Sequence, residues 1–269
     1  MMKSSEIKQV ALTSLKGKWS KAFTITTVFT LVNIALSYAL TVIQNLTAKT
    51  PIIYYGVSLI YLAIFLPLSF GLISSIRKLI KGTKVDTTTF LNDAILNFTK
   101  SIAIFIRTLL KMIIPSLIIV IGITGILFVT IQLIPLTAEN ASGYAIYVAL
   151  LYFIIFIGVA LSALPYTLSS YVLTDNKDLK SKEIIIQSAT ILENKKFSLI
   201  ALILSFVGWL LLIAVLATTI GMFTSETIAN YVQWFGMIFF MPYFIASISV
   251  FYEEASENIE VIPEKKENK

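Results

Sequence analysis

The chain contains no histidine and no cysteine. Without cysteine there is no disulfide, no thiolate nucleophile and no thiolate metal ligand. Without histidine there is no imidazole ligand, no Ser–His nucleophile system and no side chain that ordinarily titrates near neutrality. Charge is scarce too. Asp, Glu, Lys and Arg make up 13% of the 269 residues, against about 25% in soluble domains. Arginine is nearly absent: Arg77 and Arg107 are the two among 21 basic residues. Hydrophobic residues fill the space, at 57%. So few polar residues cannot coat a soluble fold with that much apolar surface.

Six stretches lack any Asp, Glu, Lys or Arg: 22–48, 50–76, 112–138, 140–174, 197–225 and 227–252. A helix crossing a bilayer needs about 20 apolar residues, and every stretch exceeds that. The sequence therefore predicts an all-α, polytopic membrane protein with spans near 22–42, 53–75, 113–134, 145–172, 198–220 and 230–251. Residues 1–21 form a charged lead-in, 22–252 the membrane domain and 253–269 a charged, disordered tail.

Twenty of the 21 basic residues fall before span 1, between spans 2 and 3, between spans 4 and 5, or after span 6; Lys49 is the exception. The positive-inside rule then places both termini in the cytoplasm. A net charge of +6 reads here as attraction to anionic inner-leaflet lipid. Basic patches are not interleaved with exposed aromatics as in a nucleic-acid groove, so no nucleic acid is expected. The lysine bias, with many Ile and Asn, points to an AT-rich bacterial genome.

The charged connections carry amphipathic patterns. Phe90, Leu91, Ala94, Ile95 and Phe98 share a helical face, as do Ile185, Ala189 and Leu192, and near the start Ile7, Val10, Ala11 and Leu15. Flanked by lysine, each is expected to lie at the inner interface, either shielding the spans or sensing lipid or a partner. Lys16, Lys18, Trp19, Arg77, Lys78, Arg107, Lys111, Lys195 and Lys196 are the candidate headgroup contacts, with Arg107 and Lys111 snorkelling from the start of span 3.

Spans 2, 4 and 6 end alike. Pro67, Pro165 and Pro242 are followed by serines and then by a first charge at Arg77, Asp175 and Glu253. Spans 1, 3 and 5 also begin alike, at L-K-G-K-W (15–19), I-L-N-F-T-K (95–100) and L-E-N-K-K-F (192–197). The chain thus reads as three hairpins of one type. A proline inside a helix frees a carbonyl and kinks it. Two readings stand for the three prolines, a packing kink, or a cavity or hinge at that depth. Asn33 is the deepest amide and a candidate for the same cavity or for a bond between helices.

Several of these segments resemble a known family. Y-V-L-T-D-N (171–176), L-E-N-K-K-F (192–197), L-S-F-V-G-W (204–209), M-P-Y (241–243) and F-Y-E-E (251–254), with L-K-G-K-W (15–19), are similar to the bacterial membrane family called domain of unknown function 975. They are distantly similar also to the membrane domain of some glycerophosphodiester phosphodiesterases. The first resemblance implies six membrane helices and a Gram-positive source, and it brings no catalytic residue.

No P-loop, dinucleotide fingerprint or nucleophile elbow is present. Glu253, Glu254 and Glu257 come nearest to a carboxylate cluster, and they read as part of a solvated tail. No span core holds an ionisable residue, which weighs against ion-coupled transport. No cofactor and no catalytic or metal-binding residue is expected. The leading expectation is a non-enzymatic protein that binds in or at the membrane, in envelope stress, lipid sensing or immunity to membrane-active peptides. The alternative is a permease or accessory transport subunit for a small or apolar solute. Membrane lipid is the expected partner, with room for a membrane-protein partner or a homo-oligomer.

Overall fold

The computed structural model describes residues 2–46, 50–134 and 141–257. Lys49 and the tail beyond 257, with Lys265, Lys266 and Lys269, lie outside the described residues. Among the described residues there is no strand. The helices are α1 (Ser4–Leu15), α2 (Trp19–Leu46), α3 (Pro51–Ile80), α4 (Thr87–Leu96), α5 (Phe98–Leu133) and α6 (Ala141–Ala163), then a 3-10 turn (Leu164–Tyr166), α7 (Ser169–Asp175), α8 (Ser181–Leu192), α9 (Lys196–Leu204), α10 (Val207–Phe223) and α11 (Glu226–Ser256). Among the described residues six segments are long and apolar enough to cross a membrane, and the protein is a multi-pass membrane protein. The ends at which α1, α4 and α8 pack are the basal ends, and the opposite ends are distal.

Several helices depart from the spans expected. The third begins at Phe98, not near 113, and runs 36 residues to Leu133, about 54 Å at 1.5 Å per residue. Hydropathy locates the bilayer, not the helix. Nothing between 98 and 112 breaks a helix, and Arg107 and Lys111 favour one. Span 4 is no single helix, since the 3-10 turn at Pro165 separates α6 from α7. Span 5 is interrupted at Ser205–Phe206, between α9 and α10. The helix of span 6 continues to Ser256, so the first four residues assigned to a disordered tail are helical.

The three short basal helices start in one way. The backbone N–H before the helix bonds the third residue's side chain: Lys3 to Glu6 Oε2 at 2.9 Å, Asp86 to Thr89 Oγ1 at 3.0 Å and Lys180 to Glu183 Oε2 at 2.7 Å. This is half of a capping box and satisfies an otherwise orphaned donor. Each helix then buries one stripe: Ile7, Ala11 and Leu15; Phe90 and Ala94; Ile184, Ser188 and Leu192. The expected face of α4 is split. Phe90 and Ala94 point inward, while Leu91, Ile95 and Phe98 are exposed. Val10 of α1 is exposed as well.

Their packing is cyclic. Helix α4 lies on α3 and touches α2; α8 lies on α5, on α7 and on the 3-10 turn. Helix α1 lies on α11 and touches α3 and α9. So α1 takes on the last hairpin the place that α4 and α8 take on the first and second. The backbone N–H of Met2 accordingly donates to Glu254 of α11. Gly17, at φ +75°, makes the tight turn from α1 into α2, a conformation that glycine adopts without steric cost. Gly71 serves close approach: a Cβ there would sit 2.2 Å from the carbonyl oxygen of Phe90.

The helix breaks are closed by the basal helices. Ser188 Oγ of α8 donates to Pro165 O at 2.8 Å. Lys8 Nζ of α1 donates to Ser205 O and Oγ, both at 3.2 Å, with its ammonium 4.8 Å above the Phe206 ring. Inside a bilayer such freed carbonyls must find donors within the protein.

Candidate functional site

The last turns of α3, α7 and α11 meet at the basal end. Arg77 is 1% exposed, and a buried guanidinium persists only when its donors are matched. Its Nε and Nη2 reach the two carboxylate oxygens of Asp175 at 3.0 and 2.6 Å. That is the bidentate geometry which the planar guanidinium allows and lysine does not. Nη1 donates to Ser249 O at 3.3 Å, and Glu253 Oε1 lies 3.5 Å from Nη2. The guanidinium carbon sits 4.6 Å over the Tyr252 ring, and Tyr252 packs on Tyr171 at 6.0 Å between centroids. Lys81 Nζ completes the cluster, 3.3 Å from Asp175 and 3.6 Å from Glu253. The first charges after Pro67, Pro165 and Pro242 thus converge in one network.

A second buried charge lies beside it. Asp93 of α4, 5% exposed, accepts from Ser74 Oγ at 2.8 Å and pairs with Lys78 at 2.5 Å and Lys177 at 3.7 Å. Three further lysines bond basal carbonyls. Lys18 donates to Ile80 O at 3.0 Å, Lys195 to Ala255 O at 2.5 Å, and Lys100 to Lys177 O. Two of these acceptors end a helix, where orphan carbonyls and the macrodipole both favour a cation. Around Arg77 the two cations Arg77 and Lys81 are balanced by the two carboxylates Asp175 and Glu253, an arrangement that holds geometry. Among the described residues no group of three Asp or Glu could hold a metal.

The expected headgroup contacts divide accordingly. Arg77 is corrected outright: its partners are Asp175, Ser249, Tyr252 and Glu253, not lipid. Lys18, Lys78 and Lys195 turn inward to carbonyls or to Asp93. Lys16, Arg107, Lys111 and Lys196 are exposed, with Lys111 5.9 Å from the Tyr166 ring. Trp19 is half-buried and tilts on Phe23 at 5.1 Å. Glu253 turns toward Arg77 and Lys81, a partner that the solvated-tail reading did not foresee.

Pro67 and Pro242 are buried within unbroken helices. Their neighbours Leu68, Phe70, Ile245 and Ala246 belong to the hydrophobic core. Asn33 lies elsewhere, in a groove of about 440 Å³ between α2, α3 and α11 on the distal side of both prolines. None of the three prolines lines that groove.

Neither the burial of Asp93 nor the meeting of Arg77 with Asp175 is expected from the sequence. Asp93 falls between Phe90 and Ala94 at helical spacing, but a solvated carboxylate on an amphipathic helix shows the same spacing. Asp175 and Glu253 were visible as the charges that follow each proline.

Fold and site together define an all-helical, six-span membrane protein whose basal end is tied by buried ion pairs. The chain belongs to the family described as "Protein of unknown function (DUF975)", which it matches over residues 1–259. No curated protein and no solved structure matches it. The distant likeness to the phosphodiesterase membrane domain therefore rests on the quoted residues alone.

Proposed function

We propose that the protein sits in a bacterial cell membrane with its basal end and both termini in the cytoplasm. On this reading its three hairpins are copies of one ancestral hairpin, and it acts without catalysis by binding anionic lipid of the inner leaflet. Envelope stress, lipid sensing or immunity to membrane-active peptides are the settings such binding would serve. One observation carries the lipid reading. Exposed Lys16, Arg107, Lys111 and Lys196 share the basal end with exposed apolar residues Leu91, Ile95, Leu96 and Phe197. Cations beside outward apolar side chains suit the headgroup boundary of an anionic leaflet. The cyclic packing of α1, α4 and α8 and the meeting of the three post-proline charges support the repeat.

The test uses the full chain in nanodiscs of zwitterionic lipid doped with an anionic phospholipid, with retained lipid read by native mass spectrometry. Anionic lipid should be enriched over the bulk mole fraction. The enrichment should fall at high salt and on changing Lys16, Arg107, Lys111 and Lys196 together to Gln. Equal retention of both lipids would sink the reading. The permease alternative draws on the groove beside Asn33. It requires solute flux in proteoliposomes that falls in Asn33→Leu.

A further inference from the structure

Asn33 carries an acceptor that no described residue satisfies. Its Nδ2 donates to Phe29 O at 2.9 Å, but Oδ1 is buried and without a partner. In hydrocarbon an unpaired polar atom is costly, because no water is there to replace the missing bond. Its polar neighbours along α2 are already engaged. Thr30 Oγ1 donates to Thr26 O at 2.8 Å and Thr41 Oγ1 to Ser37 O at 2.9 Å. Ser37 Oγ and Tyr61 OH share a bond at 3.3 Å. Across the groove the wall is apolar, with Phe65, Trp234, Met237 and Met241. Among the described residues no charged side chain lines it.

We propose that this groove binds an uncharged amphiphile, a neutral lipid with a hydroxyl or amide head. The head donates a hydrogen bond to Asn33, and the chain lies along Trp234, Met237 and Met241. Size agrees, since 440 Å³ falls within the about 300–1,000 Å³ of small-molecule sites. Charge decides the head. An ionic group would lose its hydration here with no counter-charge to meet it. The two methionines suit a chain, as flexible thioethers adapt to irregular apolar shapes. This proposal rests on the membrane-spanning fold and not on anionic lipid binding at the basal end. Loss of anionic enrichment would leave it standing.

Trp19→Phe with Trp209→Phe leaves Trp234 as the single indole of the three. The full chain carrying both changes is placed in zwitterionic vesicles. These are titrated with a brominated monoacylglycerol or with a brominated fatty methyl ester of the same chain, which lacks a donor. The monoacylglycerol should quench Trp234 saturably and at lower mole fraction than the ester. Asn33→Leu should weaken that quenching by about threefold to fifteenfold, as expected for one hydrogen bond in a bilayer, and leave the ester unchanged. Thr41→Phe, at an exposed lining position, should fill the groove and remove saturable quenching by either probe. Linear and equal quenching by the two probes would mean that Trp234 meets bulk lipid only, and the proposal fails. It fails also if Asn33→Leu keeps the preference. If that variant loses its helicity, Thr41→Phe decides alone, and saturation that survives it overturns the site.

Discussion

Phe90 and Phe206 at the basal end are 0% and 1% exposed, whereas Phe153 and Phe156 on α6 stand 58% and 70% exposed. Phe206 has three aromatic neighbours at 5.1 to 5.8 Å, all edge-on. Helix α6 packs chiefly on α5 and on the 3-10 turn below it. Both regions are helical and apolar, yet they are stabilised differently. At the base, side chains from distant parts of the sequence exclude solvent, and the buried charges Arg77 and Asp93 are paired. Distally, lipid takes the place of protein, and lipid tails are as apolar as Leu, so little drives helix against helix. Burial in protein therefore marks where a substitution should cost stability, and hydrophobicity does not.

The largest effect should come from breaking the ion cluster at one partner. Asp175→Asn leaves the Arg77 guanidinium buried with Glu253 as its nearest carboxylate. Removing one member of a buried pair costs about 3–5 kcal/mol. The lower part of that range is expected, because Asp175 is 29% exposed. Replacing both partners, as Arg77→Met with Asp175→Leu, should recover most of the loss, since apolar residues of similar volume substitute well for a buried pair. Reversible unfolding in a detergent titration measures both. A double variant no more stable than Asp175→Asn would assign the arginine a role beyond matching this carboxylate.

A smaller effect separates the two regions within one helix. Gly71 and Gly56 both lie on α3. Gly71→Ala would push a methyl group into the Phe90 carbonyl, and backbone must shift to admit it. Overpacking of this kind costs about 1–3 kcal/mol. Around Gly56 there is open space, so Gly56→Ala should be neutral or gain up to about 1 kcal/mol from helix propensity. Equal effects at the two sites, in the same unfolding assay, would contradict the close seating of α4 on α3.

The sequence disclosed the distal half and the number of spans, because both follow from where charge is missing. Basal wiring was harder to read for a physical reason. Arg77 sits beside Lys78 at the end of an apolar run, the same local pattern as an arginine facing headgroups. Only a partner 98 residues away at Asp175 and another 172 away at Ser249 turn it inward. Asp93 was hidden likewise, since a carboxylate on an amphipathic helix is ordinarily solvated. The long start of α5 was hidden because charge-free length reports on the bilayer and not on helix ends. Spacing did speak where it recurred. The first charge after each of the three prolines was legible, although that these charges meet was not.

The smallest expected effect is the sharpest test of the comparison. Phe156→Ala removes a large aromatic from the middle of a span. In a soluble core such a change costs about 3–5 kcal/mol. Here the ring is mostly exposed and leaves one apolar medium for no other: hydrocarbon surrounds it whether or not α6 stays packed against α5. The expected change is within about 0.5 kcal/mol, the range of surface substitutions. Unfolding measured in bilayer-like micelles gives the answer directly. A loss of several kcal/mol would mean that protein, not lipid, covers this face of α6 under the conditions of the assay. Dependence of that loss on protein concentration would then identify the cover as a second copy of the chain, because association contributes stability by mass action.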